Sequence, residues 1–321
     1  MSVRQSCRAR ARGIPFIYVL AALLAPSCDT TAAGHSEALA ADFDQARAYA
    51  LLERIVALGP RPAGTPKGAE QRDMIAAELA SYGLKPVREP FEAKTPIGPL
   101  ALENVYADIG GAPRDGSPAP LVILVTHFDT KRLSFAFLGA NDAGSGTSVL
   151  LELARVLAPK PGPVTWRVLF VDGEEAIRPQ WVDPDNRYGS RHHAARLKES
   201  GELARVKACV LLDLIGDRDL RLTTELNSAK ELREIFFEAA RANGLGQHVG
   251  GPSMEISDDH LSFLDAGIPS VDLIDFSYGP GNAYWHSPDD TLDKCSADSL
   301  GAIGRIVLHG LPALEQWALA R

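Results

Sequence analysis

Cysteine is scarce. The 321 residues hold four, Cys7, Cys28, Cys209 and Cys295. The first two lie in an N-terminal leader, so only Cys209 and Cys295 can belong to a folded body. That excludes a disulfide framework and a cysteine-rich zinc site. Cys209 sits in the apolar run "ACVLLDLIG" and reads as a buried, inert thiol. Positive charge is short as well: 33 Lys+Arg against 41 Asp+Glu give a net charge of −8, which argues against nucleic acid as the main partner. Internal repeats are missing. The leader's apolar run, "IPFIYVLAALLAP" at 14–26, falls short of the roughly 20 residues a stable membrane span needs.

What is present is ordinary globular material, 45% hydrophobic and 23% charged, enough for one large core. Residues 1–28 carry Arg4, Arg8, Arg10 and Arg12 and no acid. A basic start followed by a short apolar run reads as a secretory signal, so the protein is expected to be exported, periplasmic or extracellular. The end of this leader, "LLAPSC", resembles a bacterial lipoprotein signal with Cys28 as the lipidated residue, although Pro26 stands where a small residue is usual. A plain cleaved signal is the alternative. Residues 29–40 are expected to be flexible, and 41–321 to form one domain.

Apolar periodicity predicts helices over 42–58, 67–82, 148–157, 228–244 and 298–318. "VREPF" and "LENVYADI" predict strands. "LVILVTH" (121–127), "TWRVLFV" (165–171), "ACVLLDLIG" (208–216) and "PSVDLID" (269–275) read as strands buried on both faces. Strands alternating with helices predict an α/β fold, a single domain with a mixed, mostly parallel central sheet and helices on both faces.

The polar residues of interest follow the strand ends, where open α/β sheets place their ligands. His127 ends one strand, and Asp142 lies in the next loop, "GANDAGSGTS". Glu174 and Glu175 follow another strand, Asp213 lies in a third, and His286 sits in "YWHSPDD". Imidazoles with carboxylates and no thiolate suit zinc or a related divalent ion in a catalytic setting. Alone, an Asp before "GSG" is more often a helix cap, and each histidine is more often structural. An unpaired buried carboxylate such as Asp213 costs several kcal/mol, roughly. Five such groups on one rim favour a metal site. The adjacent glutamates then divide: one ligates the cation while its neighbour faces the substrate and moves protons.

Four segments, "NDAGSGTSVLLELAR", "FVDGEEAIRPQW…YGSRHHA", "LLDLIGD" and "SDDHLSFLDAGIP…YWHSPDD", resemble the zinc aminopeptidases of family M28. Within that family they look most like the glutaminyl-peptide cyclotransferases. The resemblance implies a zinc aminopeptidase-like fold and one zinc per chain, held by Asp142, Glu175 and His286. It makes Glu174 the proton shuttle, with Asp213 and Asp258 as its hydrogen-bonding partners, and places Trp181 and Trp285 in the substrate pocket. There are departures. Five residues, "AIRPQ", separate Glu175 from Trp181, one more than the pattern has. Thr126 and Thr147 stand about where animal cyclases bridge two cysteines, and Asp272 stands where they carry a histidine.

The implied reaction is cyclisation of N-terminal glutamine to pyroglutamate with loss of ammonia, by a monomer acting on peptide or protein N-termini. The alternative is a di-zinc aminopeptidase, in which His127 and Asp213 hold a second metal bridged by Asp142. Trp285, Asp258-Asp259-His260 and "LIGD" favour the cyclase. His192 and His193 are expected to pack near the site loop, and Tyr188 and Arg191 to brace it. Asp289 and Asp290 are expected to orient His286 or cap the next turn, and Asp259 and His260 to begin a helix.

Overall fold

Two seven-residue apolar runs with no polar alternation become the middle of the sheet. In the computed structural model, which describes residues 36–111 and 116–321, β3 (Leu121–His127) and β4 (Thr165–Val171) are buried at every position. They pair in parallel. With β1 (Val87–Thr95), β2 (Gly98–Ile109), β5 (Val206–Asp213) and β8 (Ser270–Ile274) they form a six-stranded sheet in the order β1-β2-β4-β3-β5-β8. The β4-β3-β5-β8 half is parallel, and β1 and β2 join antiparallel. This is the mixed, mostly parallel sheet that the sequence predicts. A separate pair, β6 (Thr224–Glu225) and β7 (Ser253–Met254), lies outside it.

Alternate residues of the central strands face opposite layers, as strand geometry requires. Val122, Leu124, Val168, Phe170, Val210 and Leu212 join the larger core. That core is covered by α1 (Gln45–Val56), α2 (Pro66–Ser81), α3 (Gly146–Leu157), α5 (Lys230–Ala242) and α7 (Ala297–Leu319). Ile123, Val125, Leu169, Val171 and Cys209 face the smaller core, under α4 (Tyr188–Glu199) and α6 (His260–Asp265). Cys209 is a fully buried free thiol. No helix among the described residues is long and apolar enough to cross a membrane.

Helix starts follow capping chemistry more closely than periodicity. Helix α1 begins at Gln45 because the Asp44 side chain accepts from the Ala46 and Arg47 amides. Helix α2 begins at Pro66, behind Thr65, whose hydroxyl accepts from Gly68 N. Residues 36–41 are helical, and Leu39 and Ala40 are buried. The core therefore starts inside the 29–40 stretch expected to be flexible, because two of its apolar side chains find partners. The leader, 1–28, lies outside the described residues.

The run 208–216 is read as one strand, yet β5 stops at Asp213. Leu214 turns to a positive φ of 49°. The next amides leave the ladder for the loop after β3: Ile215 N donates to Ser145 Oγ (3.1 Å) and Gly216 N to Asn141 Oδ1 (2.6 Å). That loop is held so close that Gly146 has no room for a side chain. A Cβ there would lie 2.2 Å from Thr126 Oγ1 and 2.5 Å from the Leu212 carbonyl. Gly146→Ala is expected to lower stability by about 1–3 kcal/mol through overpacking, read as a shifted denaturation midpoint. An unchanged midpoint would show that α3 has slack against the sheet.

Candidate metal-dependent active site

The parallel strands deliver their last residues to one edge. His127 ends β3, Asp213 ends β5, and Glu174 and Glu175 follow β4 after Gly173, whose φ of 73° turns the chain. One carboxylate then separates the two glutamates. Asp129 Oδ1 accepts from Glu174 N at 3.0 Å, and Asp129 Oδ2 from Glu175 N at 3.3 Å. With both amides fixed, the side chains diverge. Glu175 Oε1 lies 3.0 Å from His286 Nε2, and its Oε2 lies 3.3 Å from Lys131 Nζ. Glu174 Oε2 lies 3.7 Å from His127 Nδ1.

Asp142 sits in a buried turn, 140–145, between β3 and α3. Its backbone is held by Asp290, which accepts from Asn141 N (2.7 Å) and Asp142 N (3.1 Å) and from the Tyr278 hydroxyl (2.8 Å). Asp290 thus braces the loop of Asp142, whereas the sequence suggests that it orients His286 or caps a turn. The difference arises because the chain folds back on a loop almost 150 positions earlier. Thr126 and Thr147 both donate to the His127 carbonyl at 3.2 Å.

Two trios among the described residues have the geometry to hold a cation. In each, the candidate ligand atoms lie within 4.8 Å of one another. The first is Asp142, Glu175 and His286, with His286 Nε2 at 3.2 Å from Asp142 Oδ2. The second is His127, Asp142 and Asp213, with His127 Nε2 at 3.4 Å from Asp142 Oδ1 and 3.1 Å from Asp213 Oδ1. The donors of the first trio, one imidazole nitrogen and carboxylate oxygens, fit zinc.

The electrostatics follow from burying many like charges together. Burial lifts Glu174 well above the usual carboxylate range, and the charges of Glu175 and Asp258 add to this against the pull of His127. Glu175 goes the other way: burial opposes its charge, but His286 and Lys131 hold it below the usual range. Burial, then the Asp213 carboxylate, pushes Asp258 up to about 7. Asp213 is also raised by burial, against its hydrogen bond with His127. Both imidazoles lose by burial and gain more from carboxylates, so His127 rises well above its ordinary value and His286 reaches about 10.

A cavity of about 200 Å³ opens onto Asp142, Glu174, Glu175, Asp213, Asp258 and His286, walled by Trp181, Trp285, Ile256, Ile274 and Phe276. Trp285 stacks on His286, ring centroids 4.0 Å apart. Trp181, which the five-residue spacer leaves less secure in sequence, reaches the same cavity and donates from Nε1 to Ser257 Oγ at 3.0 Å. Lys131 lies 5.7 Å from the Trp181 ring centroid. His127 is placed behind the carboxylates and does not line the cavity wall.

The residues set aside in sequence lie outside both trios, and the two histidines pack on β1. His193 pairs with Glu89 at 3.0 Å, and His192 stacks on Phe91. Tyr188 donates to Asp185, which accepts from the Ile177 and Arg178 amides in the loop after Glu175. Arg191 ties that loop through Asp183 and the Pro184 carbonyl. Asp259 precedes the short helix begun by His260, but its carboxylate makes no capping hydrogen bond and accepts from the Ser190 hydroxyl. Asp272 is buried with no hydrogen-bond donor on its carboxyl group, 3.7 Å from His260 Nδ1. Sequence reasoning assigns no role to Asp129 or Lys131. Their only signal is position, two and four residues beyond His127 in "HFDTK".

The family model for Peptidase family M28 matches residues 104–311. A glutaminyl-peptide cyclotransferase-like protein from Bos taurus is 31% identical, over 77% of this chain and 70% of its own length. The crystal structure of an Acidobacteriales bacterium glutaminyl cyclase superposes with a TM-score of 0.80 at 34% identity, covering 85% of this chain and 95% of that one. A Zn-dependent exopeptidase from Parabacteroides distasonis superposes with a TM-score of 0.73 at 25% identity, covering 83% and 97%. The site geometry and these likenesses agree: the chain belongs to peptidase family M28 and, within it, to the glutaminyl-peptide cyclotransferases.

Proposed function

We propose that the protein converts the N-terminal glutamine of peptides and proteins to pyroglutamate and releases ammonia. The observation that carries this reading is the cavity itself, in which aromatic walls enclose Glu174, Asp258 and the Asp142–Glu175–His286 trio. Asp142, Glu175 and His286 would hold one zinc ion per chain, which would supply Lewis-acid polarisation of the side-chain amide carbonyl. The chain's own residues do the rest. Trp181 and Trp285 hold the glutamine so that its α-amine faces its own amide carbon. Orientation of this kind matters more to an intramolecular attack than a strong nucleophile does.

Glu174 takes a proton from the α-amine as the new C–N bond closes the five-membered lactam. It returns the proton to the departing –NH₂, which leaves as ammonia when the old C–N bond breaks. Burial disfavours the charged form of Glu174 and lifts it above the usual range, which makes its carboxylate a stronger base toward that proton. Asp258 and Asp213 hold the amine and leaving group and share protons with Glu174. Asp129 sets the division of labour, since it fixes both glutamate amides.

The rival, a di-zinc aminopeptidase, would fill the His127–Asp142–Asp213 trio as well and use Glu174 to activate water. We place the enzyme outside the cytoplasm, on the strength of leader 1–28, with Cys28 as the residue to examine for lipidation. It acts as a monomer.

Four measurements test this reading. A Gln-initiated peptide should release ammonia and lose its free α-amine, whereas a Leu-initiated peptide should stay intact; free leucine would favour the peptidase. Metal analysis should find one zinc per chain and not two. Glu174→Gln should keep zinc and lose nearly all turnover, while Glu175→Gln should lose the metal; identical behaviour would refute separate jobs for the pair. Asp129→Asn replaces one accepting oxygen by a donor, so one glutamate amide loses its partner. Zinc affinity should fall about 10–100-fold, as for other groups that orient metal ligands, and equilibrium dialysis reads it directly.

A further inference from the structure

One carboxylate on the cavity has no part in the chemistry above. Glu255 lines the same cavity as Glu174 and Asp258, but the five other carboxylates there are no more than 7% exposed, whereas Glu255 is exposed. Depth therefore separates them: the five form the floor, and Glu255 stands at the mouth. It has no hydrogen-bond or ion-pair partner among the described residues. Lys131, the buried cation beside the site, is turned to Glu175.

The segment carrying Glu255 is held firmly. The next residue, Ile256, is pinned through both backbone groups, its N–H donating to Glu225 Oε1 (3.0 Å) and its carbonyl accepting from Asn227 Nδ2 (3.1 Å). Ser257 is tied across the cavity to Trp181. Glu225 is itself anchored by the amides of Asn227 and Ser228 and the Ser228 hydroxyl. Its carboxyl group is fully buried beside His260. A charge mounted on so rigid a wall keeps its place without further ordering.

Given the proposed reaction, the glutamine fills the floor and the rest of the peptide leaves through the mouth. Successive Cα atoms are about 3.8 Å apart, so the side chain after the glutamine passes the rim first. We propose that Glu255 is a specificity-determining residue that selects Gln-initiated peptides with lysine or arginine in the second position and disfavours aspartate and glutamate there. Attraction at the rim and repulsion of the opposite sign both contribute to such discrimination.

The test compares Gln-Lys, Gln-Ala and Gln-Glu peptides, otherwise identical, on the full-length enzyme. Gln-Lys should exceed Gln-Glu in kcat/KM by about three- to tenfold at low salt, the scale of exposed charge pairs acting in both directions. The ratio should shrink as salt approaches 1 M. Glu255→Gln should bring it close to unity, a change that mere loss of stability would not produce because all three peptides would suffer alike. Equal efficiencies in the parent enzyme, or a ratio unchanged in Glu255→Gln, overturn the role of Glu255 alone. No cyclisation of any of the three overturns the reaction and this inference with it.

Discussion

Carboxylates do not gather out of water unless something holds them there. Here Asp142, Glu174, Glu175, Asp213 and Asp258 share one cavity at the carboxyl edge of the sheet, all buried. An isolated buried charge is costly, and like neighbours make it more so. The surrounding structure can be read as the answer to that cost. His127 and His286 lean on the acids from two sides, Lys131 neutralises Glu175 from a third, and backbone amides are aimed at the acids that support them. Where such partners do not outweigh the cost, as at Asp258, which accepts from Asp259 N, burial and the Asp213 carboxylate push the carboxyl group up to about 7.

The same constraint shapes the backbone. The loop of Asp142 has few regular hydrogen bonds of its own, so it borrows them. Asp290 takes its amides, while Asn141 and Ser145 take amides that β5 would otherwise spend on its ladder. Early termination of β5 is therefore coupled to a fixed candidate ligand loop: the strand ends where Asp213 reaches the site, and the residues after it clamp Asn141 and Ser145 on either side of Asp142. The absence of a Cβ at Gly146 lets these segments approach. Stability and chemistry meet in this one packing contact.

Much of this was legible from residue order. Unbroken apolar runs at 121–127 and 165–171 mark strands buried on both faces, and the structure returns the same bounds. The clustering of His127, Asp142, Glu174, Glu175, Asp213 and His286 is also legible, because strand ends in a parallel sheet must share an edge. What was not legible depends on contacts far apart in sequence. Asp290 lies 149 positions from the amide it holds. Glu225 supports Ile256 from 31 positions away. Asp129 and Lys131 carry ordinary loop residue types, and only the turn of Glu174 and Glu175 towards them gives them meaning. Local periodicity carries no record of such pairings.

The hardest distinction, cyclisation against hydrolysis, turns on His127. Its Nε2 faces Asp142 and Asp213, and its Nδ1 faces Glu174. As an imidazolium it offers a proton to both sides and offsets three carboxylates without any ion. As a neutral ligand it would have to offer its Nε2 lone pair to a cation, and that cation would take over the offset. A proton on Nε2 and a cation in the second trio therefore exclude one another, because both occupy the same lone pair. Carboxylates crowded around His127 favour the proton, raising the imidazole well above its ordinary value despite complete burial. On the cyclase reading, a protonated His127 would keep Asp213 as a hydrogen-bonding partner and would leave Glu174 beside a cation, whereas a metal in its place would bring a bound water to Glu174. The proton would serve transfer between two nitrogens of one substrate and the cation would serve activation of a water, so which of the two holds that lone pair is the difference between closing a lactam and cutting a peptide.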